Sequence, residues 1–173
     1  NANPTLRASE ELFDLVNIFG EEEDKRASWF ELKNTGAENE FVAINKFNKE
    51  YFNIPVLHLT EMYLTRAEAN ARLGNISSAV EDINMIIDRA YKTAAQQLDA
   101  SISQEALLEI IEKERRLELC FEGDRIHYLR RKGAFYNNEL IIRDAAWDCD
   151  GFLLQFPSTE QTAVFEPNPP GGC

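Results

Sequence analysis

The sequence predicts a mainly α-helical fold with loop-rich N- and C-terminal segments. Two observations carry it. Apolar residues recur at steps of three and four through the middle of the chain, and the punctuating residues cluster at Gly74–Asn75 and Gly123 between those runs. A third, the apolar fraction of 44% over 173 residues, describes a globular protein able to bury a core and expected to form a single unit. Within it, residues 1–55 read as loop-rich, 56–133 as a helical core and 134–173 as an extended, packed tail.

In chain order, Ser9–Phe19 reads as a short helix. The acidic turn "GEEEDKR" follows, and the aromatic segments "SWFELKN" and "FVAINKFN" suit short strands or irregular backbone. Pro55 closes this part. From Val56 to Leu73 the stripe Leu59, Met62, Tyr63, Ala67 predicts a helix, stopped by Gly74–Asn75. Ala79, Val80, Ile83, Ile86, Ile87 and Ala90 predict a second, with Ser78-x-x-Glu81 as a capping box. Ala67 and Ala79 flank the turn at Gly74, and small residues there let the two helices approach closely, so the pair reads as one tetratricopeptide-type hairpin. After the polar connector "KTAAQQLDASIS" a third helix spans Ser103–Phe121 and breaks at Gly123. A shorter one ends at Lys132–Gly133, its basic last turn facing the negative end of the helix dipole. The tail is punctuated by prolines, yet Phe152–Phe156 is too apolar to lie free in water.

Charge and cysteine usage remove several classes of function. Eighteen basic against 30 acidic side chains give a net charge of −12, which repels a phosphate backbone, so nucleic acid is not an expected partner. No apolar run approaches the roughly 20 residues of a membrane helix. Cys120, Cys149 and Cys173 are too few and too irregular for a disulfide framework. With His58 and His127 the only histidines, no metal or other cofactor is expected. Cys120 falls on an apolar stripe as a small core residue, and Cys173 reads as a free thiol or a link to another chain.

The stretch "ERRLELCFEGDRIHYLRR", Glu114 to Arg131, poses the main chemical question. Leu107 and Ile111 define a stripe that continues through Glu114 and Glu118, so both carboxylates project toward the packed side of the helix. Buried carboxylates need partners, and the nearest in sequence are Arg115, Arg116 and Arg125. Together these five residues form an expected structural ion-pair network. Glycoside hydrolysis is the competing reading, because carboxylates four residues apart on a helix lie about 6 Å from each other. It requires groups flanking a bond across a cleft and one with a raised pKa, whereas both carboxylates leave one helix face with arginines beside them. No catalytic residue is therefore expected.

Four segments, "IPVLHLTEMYLTRAEANARLGN", "AVEDINMIIDRA", "ERRLELCFEGDRIHYLRRKG" and "FLLQFPSTEQTAVFEPNPP", resemble in order and spacing the C-terminal part of the SusD/RagB family, as do the earlier "DKR" and "NKF". The resemblance implies a SusD-like α-α superhelix, here its C-terminal portion. It implies a non-catalytic, lipid-anchored oligosaccharide-binding protein on the outer membrane of a Bacteroidetes cell, its anchor outside this chain. The implied partner is a SusC-like TonB-dependent transporter. The family's principal sugar-binding residues are then expected upstream, and the chain alone is expected to bind glycans weakly or not at all. Within it, Trp29 and Trp147 are the candidate glycan platforms, each also readable as an ordinary core aromatic. The alternative function is a helical-repeat protein–protein interaction module without a sugar site.

Overall fold

A computed structural model describes residues 7–17, 24–47 and 56–157, with positions 159, 164, 166, 168 and 171–173 beyond them. Pro55, the acidic turn at 20–23, the end of the first predicted helix and much of the tail after 157 lie outside the described residues. The chain is mainly helical. It divides into two compact units, Asn1–Leu119 and Cys120–Cys173, and the division falls inside the span that the sequence reads as one helical core.

In the first unit, β1 (Arg7–Ala8) leads into α1 (Glu10–Asn17), where Ser9 accepts a hydrogen bond from the Leu12 amide at 3.3 Å. A 3-10 turn at Lys25–Trp29 runs into β2 (Phe30–Lys33), which pairs antiparallel with β3 (Phe41–Ile44). The sheet order is β1-β3-β2, with Leu32 opposite Val42 and Arg7 opposite Ala43. Phe30 meets Phe13 of α1 edge to face, ring centroids 6.5 Å apart, which seats the first helix on the sheet.

The helical hairpin is α2 (Leu59–Arg72) and α3 (Ile76–Ala90). Gly74 has φ +81°, and the Asn75 amide donates to the Asn70 carbonyl at 2.9 Å while the Gly74 amide donates to Ala71 at 3.1 Å. That pattern is a Schellman stop, and a side chain at Gly74 would be strained in the left-handed region. The buried stripe of α2 differs from the predicted one: Leu59 is 71% and Met62 49% exposed, while Leu64, Ala67 and Ala71 are fully covered. Ala67 is common to both stripes, and with Leu64 and Ala71 it joins Ala79 and Ile83 in the buried cluster. The capping box is also displaced. Helix α3 starts at Ile76 with Asn75 as its N-cap residue, because the chain re-enters helical geometry directly after Gly74, and Ser78 falls inside the first turn. The α3 stripe is as predicted, with Ala79, Val80, Ile83, Ile86, Ile87 and Ala90 all buried.

Helix α4 (Gln104–Glu118) completes this core. Ser103 caps it by accepting from the Ala106 amide at 3.2 Å, and Gln104 Nε2 donates to the Ala71 carbonyl at 2.7 Å, satisfying a terminal carbonyl of α2. Leu107 and Ile111 join Leu64, Ile83 and Ile86 in one apolar cluster. Asp82 accepts a fork of bonds from Arg66, 2.8 and 2.6 Å, across the hairpin, and Asn84 pins the connector through both the amide and the carbonyl of Leu98.

The second unit begins with a break at Phe121 (φ +64°) and Gly123 (φ +82°), after which α5 runs over Asp124–Tyr136. It passes through Gly133 instead of ending there. The indole of Trp147 lies against Gly133, and a Cβ at that position would overlap Cγ of Trp147 and fall 2.5 Å from its Cβ and Cδ2. This glycine therefore makes room for an aromatic ring, not for a turn. A hairpin of β4 (Ile141–Ile142) and β5 (Ala145–Ala146) follows, its two-residue turn at Arg143 and Asp144 held at φ +49° and +65°. Two-residue strands joined by Arg-Asp instead of Asn-Gly leave no readable hairpin signal, so the sequence reads as extended tail here. Farther on, Phe152 and Leu153 are half-buried, while Leu154 and Phe156 are exposed, so the apolar run is only partly packed. Cys173 is neither a free thiol nor a link to another chain. It forms a disulfide with Cys149, 24 residues away, at a Cα separation of 5.7 Å. Sequence spacing does not show which cysteines meet, since that depends on where the tail returns. Cys120 is buried and outside any disulfide.

Candidate functional site

The charged face of α4 meets the loop that precedes the sheet. Asp24 pairs with Tyr91 in a single antiparallel bridge, which places the residues after it under the end of α3. As N-cap of the 3-10 turn, Asp24 accepts from the Arg26 amide at 2.9 Å and so curls the Arg26 side chain back onto its own carboxylate.

The Arg26 guanidinium is then surrounded. Nε and Nη2 donate to the two oxygens of Asp24 at 2.9 and 2.8 Å, while Nη1 donates to Glu114 Oε2 at 2.7 Å and to Glu118 Oε1 at 2.9 Å. Arg26 is 2% exposed and the three carboxylates between 0% and 4%. The remaining oxygens are also engaged: Tyr91 Oη donates to Glu114 Oε1 at 2.9 Å, and Arg89 pairs with Glu118 Oε2. The Tyr91 ring centroid lies 5.1 Å from the Arg26 guanidinium carbon, a cation–π contact. Around this centre Lys25 Nζ bonds the Arg89 carbonyl at 3.0 Å, and Lys46 Nζ bonds the Glu118 carbonyl at 2.5 Å while sitting 4.8 Å from the Trp29 ring centroid.

Burial works against the Arg26 charge, yet the hydrogen bonds it donates to Asp24 and the charges of Glu114, Glu118 and Asp24 outweigh it and raise its pKa. Burial is the first cause that pushes the Tyr91 hydroxyl upward, with the Glu114 charge adding to it. The sign of the linkage follows. Above the ordinary tyrosine value of 10.0 the unfolded chain releases a proton that the folded chain keeps, so this contribution is intact below that pH and lost as pH rises. Urea unfolding between about pH 8 and pH 11 should therefore show a decline in stability that is shallower in Tyr91→Phe. An equal alkaline loss in both proteins would contradict the burial of this hydroxyl.

The arrangement ties three segments together and engages both oxygens of each of these acids. Glu114 and Glu118 converge on one nitrogen, whereas glycoside hydrolysis needs two carboxyl groups about 5 to 9.5 Å apart on opposite sides of a sugar. Among the described residues no group of three or more His, Cys, Asp or Glu side chains is placed to hold a metal ion, and no helix is long and apolar enough to cross a membrane.

The arginines named from sequence sit elsewhere. Arg115 reaches Thr65 Oγ1 at 3.2 Å and Glu61 at 3.8 Å on α2; Arg116 pairs with Glu11 of α1 at 3.1 Å; Arg125 lies in the second unit, 5.8 Å from the Tyr128 ring centroid. The partners of Glu114 and Glu118 come instead from other segments, as Arg26, Arg89 and Tyr91. The sequence reading missed Asp24, Arg26, Arg89 and Tyr91 as members of this centre. The "DKR" and "NKF" motifs were the available signal: they supply Asp24, Arg26 and Lys46. Trp29 is half-buried beneath Lys46, and Trp147, also half-buried, donates its Nε1–H to the Asn138 carbonyl at 3.0 Å.

A helical hairpin closed by a third helix, with an interior arginine binding an N-terminal loop to that helix, defines a helical-repeat scaffold with the features that the sequence motifs suggested. The SusD family model matches residues 17–144, and the chain belongs to that family. The match contains both halves of the ionic centre, from Asp24 to Glu118. No curated protein and no solved structure matches the chain.

Proposed function

We propose that the protein binds oligosaccharides without cleaving them and passes them to a SusC-like TonB-dependent transporter at the bacterial outer membrane. The observation that carries this reading is the SusD family match over residues 17–144, since that family serves glycan binding and nutrient uptake. Two features support it. The paired carboxylates of α4 are held by Arg26, Arg89 and Tyr91 as parts of a scaffold, and the acidic chain, at −12, is unsuited to polyanionic ligands. A lipid anchor would hold the protein at the surface. Trp29 and Trp147 remain the candidate platforms for sugar rings.

Deleting the coding sequence in the source bacterium should abolish uptake of at least one labelled oligosaccharide while leaving uptake of free monosaccharide intact. Unchanged uptake of every oligosaccharide in a panel of starch, host-type and plant glycans would remove the reading. By calorimetric titration the present chain alone should show no saturable binding to these glycans tighter than about 1 mM, roughly −4 kcal/mol, because a site that needs several aligned contacts loses most of its affinity when only some are present. Micromolar binding abolished by Trp29→Ala or Trp147→Ala would instead locate the sugar site on this chain.

A further inference from the structure

The Cys149–Cys173 disulfide joins sulfurs in unlike surroundings. Cys149 is 9% exposed and leads into the short 3-10 turn at Asp150–Phe152, where its Sγ accepts a hydrogen bond from the Gly151 amide at 3.3 Å. Cys173 is exposed. Among the described residues, two further contacts join the returning tail to this turn. Gly171 packs on Gly151, where a Cβ would lie 3.4 Å from the Gly151 Cα, and Asn168 Nδ2 donates to the Leu154 carbonyl at 2.9 Å. A Cβ on Gly151 would meet Sγ of Cys173 at 3.1 Å and Sγ of Cys149 at 3.3 Å, so the glycine is what lets the bridge lie against the turn.

We propose that this disulfide is a thiol-reversible clasp on the C-terminal segment, opened by attack of an external thiolate on Cys173. The incoming thiolate reaches the exposed Sγ of Cys173, forms a mixed disulfide there and breaks the Cys149–Cys173 bond. Cys149 leaves as a thiolate whose negative charge the Gly151 N–H is already placed to receive. Access selects the sulfur that is attacked, and the amide donor favours the one that departs. A dithiol then completes the exchange: its second sulfur displaces Cys173, the reagent is oxidised to a disulfide, and two protein thiols are left, for a net transfer of two electrons and two protons. In an oxidising compartment the clasp stays closed, and the protein keeps its tail fastened along residues 150–154.

The chain is prepared without reductant and then unfolded in the presence of iodoacetamide. One of its three cysteines, Cys120, should be alkylated before reduction and all three after it. Three alkylated cysteines before reduction overturn the proposal. The folded, oxidised protein is next exposed to glutathione and the adduct located by peptide mass spectrometry. It should sit on Cys173 with Cys149 free. Adducts mainly on Cys149, or no exchange until the protein is unfolded, also overturn it. Limited proteolysis supplies a readout that needs no variant: reduction should expose cleavage after residue 153 while residues 59–136 stay intact, and Cys173→Ser should reproduce this pattern without reductant. A tail equally resistant in oxidised and reduced protein would show that the bridge fastens nothing.

Discussion

Replacing Arg26 with alanine should destabilise the first unit by about 3–5 kcal/mol, the cost of leaving buried charges uncompensated. Asp24, Glu114 and Glu118, each at most 4% exposed, would face one another around an empty space. Since a domain of this size is stable by only about 5–15 kcal/mol, the change would consume much of the margin. The lysine variant should fall between the parent and Arg26→Ala. It keeps the charge, but one ammonium cannot serve Asp24 through Nε and Nη2 while serving two glutamates through Nη1. Urea unfolding followed by far-ultraviolet circular dichroism reads this order directly, and an alanine variant within about 0.5 kcal/mol of the parent would contradict it.

Gly133→Ala should destabilise the second unit by about 1–3 kcal/mol, the range for overpacking a fitted contact. Alanine is the better helix former by about 1 kcal/mol, so helix propensity alone predicts the opposite sign. Overlap wins because the new methyl coincides with the root of the Trp147 side chain, not with a mobile tip. The indole can move away only by giving up the 3.0 Å hydrogen bond from Nε1 to the Asn138 carbonyl. In a Trp29→Phe background, Trp147 emission should shift to the red in the alanine variant. A more stable variant with unchanged emission would mean that the ring does not rest on the helix.

The two residues mark where the sequence was legible and where it was not. The hairpin could be read because its signals are local: the Gly74 stop and the α3 stripe each lie within a few residues of what they control. The inward register of Glu114 and Glu118 was legible from Leu107 and Ile111 for the same reason. Their partner was not. Arg26 lies 88 and 92 positions away, and periodicity carries no information about which loop will cross a helix face. Gly133 misled in the same way, since a glycine near a basic helix end has the composition of a stop and only the return of Trp147 gives it another meaning. The Cys149–Cys173 bridge depends on a tail that comes back over 24 residues, beyond any local pattern.

That the charged stretch from Glu114 onward is a scaffold assembled around Arg26 is tested most directly by a double-mutant cycle between Arg26→Met and Glu114→Gln, measured by equilibrium urea unfolding. The two residues meet at 2.7 Å in the interior, so the account predicts that the double variant is more stable than the sum of the single losses implies, by about 1–3 kcal/mol. Losses that add to within about 0.5 kcal/mol would mean that the two charges do not depend on each other, and the carboxylates of α4 would then need another purpose.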